Sequence, residues 1–406
     1  MLKLFAFLRR SLLPAAGLVA IVTAAHSATF RVPEDAPTIQ AAIDLASDGD
    51  VVEIAPGTYT GDGNRDISFH GKSLRVQPVG APHSVLLRVD GEDFDYHRAL
   101  VFENGEPSSA VLSGLHIKYG AHYEGGAVLI SGAAGPTIEN CFFEENATWI
   151  PWDDSNPGGD IAGGTLCIRD SATPVLRDCV ILNSYSDGAG KSISIEGSSS
   201  VLMTGCRIES SSGGYAIYIT NSARLEMESC WLVGNAGGAI TLEGSSQTRL
   251  DNCVLAENGP WAALAVEDNS TVDLTQCTIT ANHGYSTTVA IVGGSASFTR
   301  CILYDNCDST GDPADLLYWN GEVELLCCAL NPAAIFGDVD LEAGAPHVFA
   351  DPRFCGAQSC LLGGLDGPTG NYQLEAYSSC LPENNLCGEQ IGALGMGCGT
   401  TSAIGA

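Results

Sequence analysis

Basic residues are scarce in this chain: its 406 residues hold 18 Lys and Arg against 48 Asp and Glu. So acidic a surface repels nucleic acid and anionic lipid. It also disfavours polyanionic sugars such as polyuronates unless Ca²⁺ mediates the contact. Apolar runs of membrane-spanning length are missing too. One stretch, Leu12 to Ala25, follows the basic Lys3, Arg9 and Arg10 and precedes the small-residue site Ala25-His26-Ser27, which predicts a cleaved secretory signal rather than a span. Cleavage would leave 15 basic and 48 acidic residues, a net charge of −33. The catalytic motifs are absent as well. There is no H-E-x-x-H, no G-x-S-x-G, no P-loop, and no G-x-G-x-x-G between a strand and a helix.

What the chain does have is glycine (48 residues), cysteine (16) and an apolar content of 45% with few charges, the profile of an ordered, turn-rich protein with a large core. Eight of the cysteines are periodic. They stand at 141, 179, 206, 230, 253, 277, 301 and 328, in steps of 38, 27, 24, 23, 24, 24 and 27. Around the first seven, an apolar residue lies three before (Ile138, Leu176, Met203, Met227, Leu250, Leu274, Phe298) and another two after (Phe143, Ile181, Ile208, Leu232, Leu255, Ile279, Leu303). The inward positions are therefore −3, 0 and +2. Five residues after each cysteine stands Asn or Ser: Asn146, Ser184, Ser211, Asn235, Asn258, Asn282 and Asn306. Asn tolerates left-handed backbone at a turn, and stacked amides can hydrogen-bond one another.

A second, glycine-introduced strand follows each turn, from Val128/Ile130 through Ile217/Ile219 to Val289/Ile291. Two short strands per repeat leave no room for a helix, which excludes the leucine-rich repeat of similar period. The period predicts an all-β, right-handed parallel β-helix of ten or eleven coils, about 50 Å long. Its N-terminal cap is an amphipathic helix from Pro37 to Ala46 with Thr38 or a neighbour as N-cap. The expected layout is a signal at 1–27, the β-helix at 28–330, and an irregular Cys-rich segment at 331–406 that packs on or caps it.

The run Thr38 to Tyr59 resembles the opening of pectate-lyase-like β-helix proteins. Gly-Gly-Ala-Val at 125–128, Gly-Gly-Ala-Ile at 237–240 and Phe143-Glu144-Glu145-Asn146 resemble the repeats of polymorphic outer-membrane surface proteins. This resemblance implies a scaffold, and scaffold alone does not carry function. The Asn-Thr-Asp, Gly-Asp-Asp, Gly-His-Gly and Arg-Ile-Lys segments of the related hydrolases are absent.

The cysteine column reads as small buried hydrophobes, because metal sites use close pairs such as C-x₂-C. The C-terminal eight, Cys307, Cys327, Cys328, Cys355, Cys360, Cys380, Cys387 and Cys398, read as disulfides of an exported protein. Asp62-Gly63-Asn64-Arg65-Asp66, Asp312-Pro313-Ala314-Asp315 and Asp351-Pro352 read as turns. No specific motif supports a Ca²⁺ site, and no cofactor is expected. The outward positions beside the column carry Val180, Leu182, Trp231, Val233, Val254, Ala256, Ile302 and Tyr304, so something covers that face, either the segment from about 331 or a partner.

Two stretches interrupt the period, Asp90 to His97 and Ala147 to Asp160, and insertions in a solenoid emerge as loops, often on the binding face. They could flank one groove, with Tyr96, Tyr123, Trp149 and Trp152 as ligand-binding aromatics. Asp93, Asp95, Glu124, Asp153 and Asp154 are the carboxylates from which a hydrolase would draw its acid/base pair. The expected function is noncatalytic binding of glycans or other surfaces by a monomeric, secreted, periplasmic or surface protein with no span after cleavage. The alternative is a polysaccharide lyase or glycoside hydrolase.

Overall fold

The computed structural model describes residues 27–90, 96–148, 162–341, 346–360 and 370–398. Three parallel sheets run its length, so each coil carries three strands, not two. The first sheet has 12 strands, from Thr29–Val32 to Glu322–Leu326; the second has 11, from Gly57–Tyr59 to Ala329–Leu330; the third has 11, from Ile67–Ser68 to Ile335–Phe336. The rod is therefore slightly longer than the spacing predicted. The extra strand explains the odd step between positions −3 and 0. Two inward side chains three residues apart cannot share a straight strand of period two. The residue just before each cysteine of the column, among them Asn140, Asp178, Gly205, Ser229, Asn252, Gln276 and Arg300, has φ between +50° and +62° and turns the chain. Positions −3 and 0 accordingly lie on either side of a corner between the first and second sheets.

Pairing is in register coil after coil, as in Ile138↔Leu176↔Met203↔Met227↔Leu250↔Leu274↔Phe298↔Leu325, so each inward residue packs on its equivalent above and below. One continuous core results. The cysteine column lies inside it, fully buried and unpaired, with six of the eight thiols near carbonyls of both their own and the preceding coil; Cys277 Sγ is 3.3 Å from the Leu250 carbonyl oxygen and 3.4 Å from that of Thr275. A cysteine suits this corner because it is small and its S–H can use those acceptors. Cys328 belongs to the column and is not a disulfide partner: Leu325 and Leu330 occupy its −3 and +2 positions, and its sulfur lies 3.2 Å from the Phe298 carbonyl. Cys380 is likewise a buried free thiol. The disulfides join Cys307 to Cys360, Cys327 to Cys387 and Cys355 to Cys398.

At the next corner Asn235, Asn258, Asn282 and Asn306 form a ladder. Each amide nitrogen donates to the side-chain oxygen of the next coil's Asn, at 2.8 to 3.0 Å, and to a carbonyl of the preceding coil. The ladder ends on Asp315, whose Oδ1 accepts from Asn306 Nδ2 at 2.7 Å and from the Asn306 N–H at 3.2 Å. Asp315 is thus a buried terminator rather than a turn initiator. Ser184 and Ser211 do not continue the ladder. Their hydroxyls bond sideways to Thr165 and Ser192.

Helix Ile39–Leu45 caps the N-terminal end, with the Thr38 hydroxyl accepting from the Ala41 N–H at 3.3 Å and Ile39 and Ile43 buried in the core. The Asp62 to Asp66 run is a turn whose Asn64 side chain accepts from the Ile39 N–H. At the other end the apolar outer face of the second sheet is covered. Val233, Val254, Ala256 and Ile302 form a second core with Phe354, Tyr372, Leu374, Leu381 and Ile391. Among the described residues no helix is long and apolar enough to cross a membrane, and no group of three or more His, Cys, Asp or Glu side chains is arranged to hold a metal ion.

Candidate functional site

At the corner between the second and third sheets the coils stack closely. A Cβ on Gly126 would lie 2.2 Å from the Ala147 carbonyl oxygen, and one on Gly164 would lie 2.2 Å from that of Tyr185. Only glycine permits backbones to stack so tightly. Near these glycines, bridges run coil to coil, from Glu124 to Ala162 and from Ala121 to both His97 and Ala147.

There Tyr96 and Tyr123, from successive coils, pack with ring centroids 4.7 Å apart, and His122 meets the Tyr123 ring edge-on at 5.4 Å. Beneath them runs a chain of charge-assisted bonds. His97 Nδ1 bonds the Asp66 carboxylate, whose other oxygen accepts the Arg98 N–H at 3.1 Å. The buried Arg98 guanidinium donates to His122 Nδ1. Burial, with Arg98 adding to it, pushes His122 down to about 4. The ring is therefore neutral near pH 7, with Nδ1 accepting and the proton on Nε2. Burial also lowers Arg98 itself, opposed by Glu124, Cys167 and Asp66. One coil on, Glu124 Oε2 pairs with Arg169 at 3.1 Å, and Arg169 reaches Asp170 at 2.9 Å. Cys167 lies under this network with Leu129 and Ala162, and burial drives its thiol up, so it is a neutral packing group.

The family described as right handed beta helix region matches residues 101–255 and 161–308, which together span 101–308, or 208 of the 406 residues. The chain belongs to this right-handed β-helix family. A solved β-helix, the crystal structure of pectate lyase Pel9A, superposes with a TM-score of 0.53 at 13% identity, covering 88% of this chain and 90% of that one. At that identity the likeness concerns fold alone. No curated protein matches the sequence.

Of the residues singled out from the sequence, this β-helix brings Tyr96, Tyr123 and Glu124 together at one corner. Asp93, Asp95, Trp149, Trp152, Asp153 and Asp154 lie outside the described residues. Sequence reasoning missed Asp66, Arg98, His122 and Arg169. One signal was present. Arg98 stands two residues before Leu100, the place that Gly126 and Gly164 occupy before Val128 and Leu166, and a long charged side chain in a glycine column marks a coil with a different neighbour.

Proposed function

We propose that this chain is a polysaccharide-binding β-helix that holds a glycan without transforming it, at the corner formed by Tyr96, Tyr123, His122 and Glu124. The observation that carries the reading is the Tyr96 and Tyr123 ring pair beside the Glu124 carboxylate. Partly exposed rings stack on the apolar face of a pyranose, while carboxylate oxygens and a neutral imidazole N–H serve its hydroxyls. Noncatalytic binding is favoured by the mutual engagement of the polar groups. Asp66 is bonded to His97, Arg98 to His122 and Glu124 to Arg169, which ties these groups to one another rather than leaving them poised for proton transfer. The three disulfides suit a secreted or surface protein.

The test is a broad glycan array with the purified chain, run beside an assay for the absorbance of unsaturated uronate and one for reducing ends. Wild type is expected to bind glycans and release neither product. Tyr123→Ala and Tyr96→Ala should each lower affinity roughly tenfold, the equivalent of about 1.4 kcal/mol, with an unchanged melting temperature. Turnover by wild type that is lost in Glu124→Gln would replace this reading with that of a lyase or hydrolase.

A further inference from the structure

The same corner carries a second set of aromatics further along the rod, where no sequence motif pointed. The Tyr215 ring lies over Gly238 of the next coil, close enough that a Cβ there would sit 2.2 Å from two ring carbons. It meets Trp261, of the coil after that, at 5.3 Å between centroids and 66° between planes. Glycine at 238 is what allows one ring to cross a whole coil and reach the next. Trp261 is 40% exposed and Tyr285, one coil further, 64%. Beside them Tyr218 donates to Glu243 at 2.8 Å. Glu267 follows on the adjoining strand, and among the described residues neither carboxylate has an ion-pair partner.

We propose that Tyr215, Trp261 and Tyr285, with Glu243 and Glu267, form a second saccharide platform, and that one extended, non-anionic glycan chain lying parallel to the rod axis occupies both platforms. The inference rests on the glycan reading of the first. In the third sheet the strand after Tyr123 (Val128–Ile130) and the strand after Trp261 (Leu264–Glu267) are five rungs apart, about 24 Å at one strand spacing per rung. Successive coils repeat along the axis, so an extended polymer meets equivalent positions at a regular interval, whereas a small ligand would use one platform only. Charge selects the polymer. Acceptors at Glu243 and Glu267, in a chain of 48 acidic and 18 basic residues, receive hydroxyl or amino groups and repel carboxylates and sulfates.

The test uses the full mature chain and calorimetry with cellohexaose, xylohexaose and mannohexaose, their disaccharides, and hexagalacturonate. Two linked platforms should make one neutral hexasaccharide bind roughly a hundredfold tighter than its disaccharide, with hexagalacturonate far weaker. Trp261→Ala should reduce that hexasaccharide to the disaccharide's affinity while leaving disaccharide binding at the first platform intact, and Trp261→Phe should restore most of the gain. Equal affinities for the two lengths, or a Trp261→Ala chain that binds the hexasaccharide as wild type does, overturns the second platform and leaves the first standing. Hexagalacturonate binding as tightly as the neutral hexamers overturns the choice of polymer. A wild-type chain that binds none of these probes overturns both platforms.

Discussion

Asp315 is a buried carboxylate only half satisfied by its neighbours. Its Oδ1 takes both hydrogen bonds from Asn306, but its Oδ2 is buried with no partner, and the residue is almost fully enclosed. Burial raises its carboxyl to about 7, with the Asn306 bonds opposing and the nearby Asp305 charge adding to the rise. The folded chain therefore keeps a proton that the unfolded chain, with an ordinary carboxyl near 3.8, has already lost. Its stabilising effect is complete below pH 3.8 and is lost as pH rises through 7, a difference on the order of 3–4 kcal/mol for a three-unit shift. Asp315→Asn keeps the oxygen that Asn306 needs and removes the titration. Urea midpoints at pH 5, 6, 7 and 8 should show the wild type losing stability relative to Asp315→Asn across that window. A constant difference between the two proteins would refute the assignment.

Among the repeating elements, the Asn ladder is the one whose loss should matter most. Asn258 Oδ1 accepts from both the side chain and the backbone N–H of Asn235, and its amide serves Leu232 and Asn282. Asn258→Leu would strand donors on Asn235 and an acceptor at Leu232 in a fully buried corner, which should cost about 3 kcal/mol or more. Ser211→Ala removes a single hydroxyl contact with Ser192 and should cost about 1 kcal/mol. Guanidinium midpoints of the two variants check the ranking. Much of this was legible in the sequence, because a 24-residue period in Cys, Asn and Gly needs no structure to be seen. The division between the first and second sheets was hidden because their successive strands were read as one. The left-handed residue between them is Asn, Asp, Ser, Gln, Gly or even Arg300, so the corner has no single residue type to betray it. The site was half legible for a related reason. Insertions announce themselves by breaking a period, which located Tyr96, Tyr123 and Glu124. Asp66 and Arg169 come from coils that keep the period, and only stacking brings them within reach of Arg98 and Glu124.

At the scale of the whole molecule, two cores meet across one sheet and are held by different means. The inner core is a stack in which every apolar residue packs on its equivalent, so a thiol there reacts only when coils separate. The outer one joins the second sheet to Phe354, Tyr372, Leu374, Leu381 and Ile391 and is pinned by two disulfides, Cys307–Cys360 and Cys327–Cys387, and by Glu257, whose Oε1 accepts the Tyr372 hydroxyl at 2.7 Å and the Gly370 N–H at 2.9 Å. The disulfides constrain the chain between residue 307 and residue 398 and leave the stack before it untouched. Alkylation of the native, nonreduced protein should therefore modify none of the ten free cysteines, while alkylation in denaturant modifies all ten and spares the six paired ones. Mild reduction should then separate the two cores without unfolding the rod. Hydrophobic-dye fluorescence is expected to rise as Trp231, Val254 and Ile302 are uncovered, while the far-ultraviolet signal of the three sheets persists. Loss of the far-ultraviolet signal together with the dye rise on reduction would mean that the cover and the stack fold as one cooperative unit, and crosslinks found among Cys179, Cys206, Cys230 and Cys253 would mean that the thiol column is not the inert filling its burial implies.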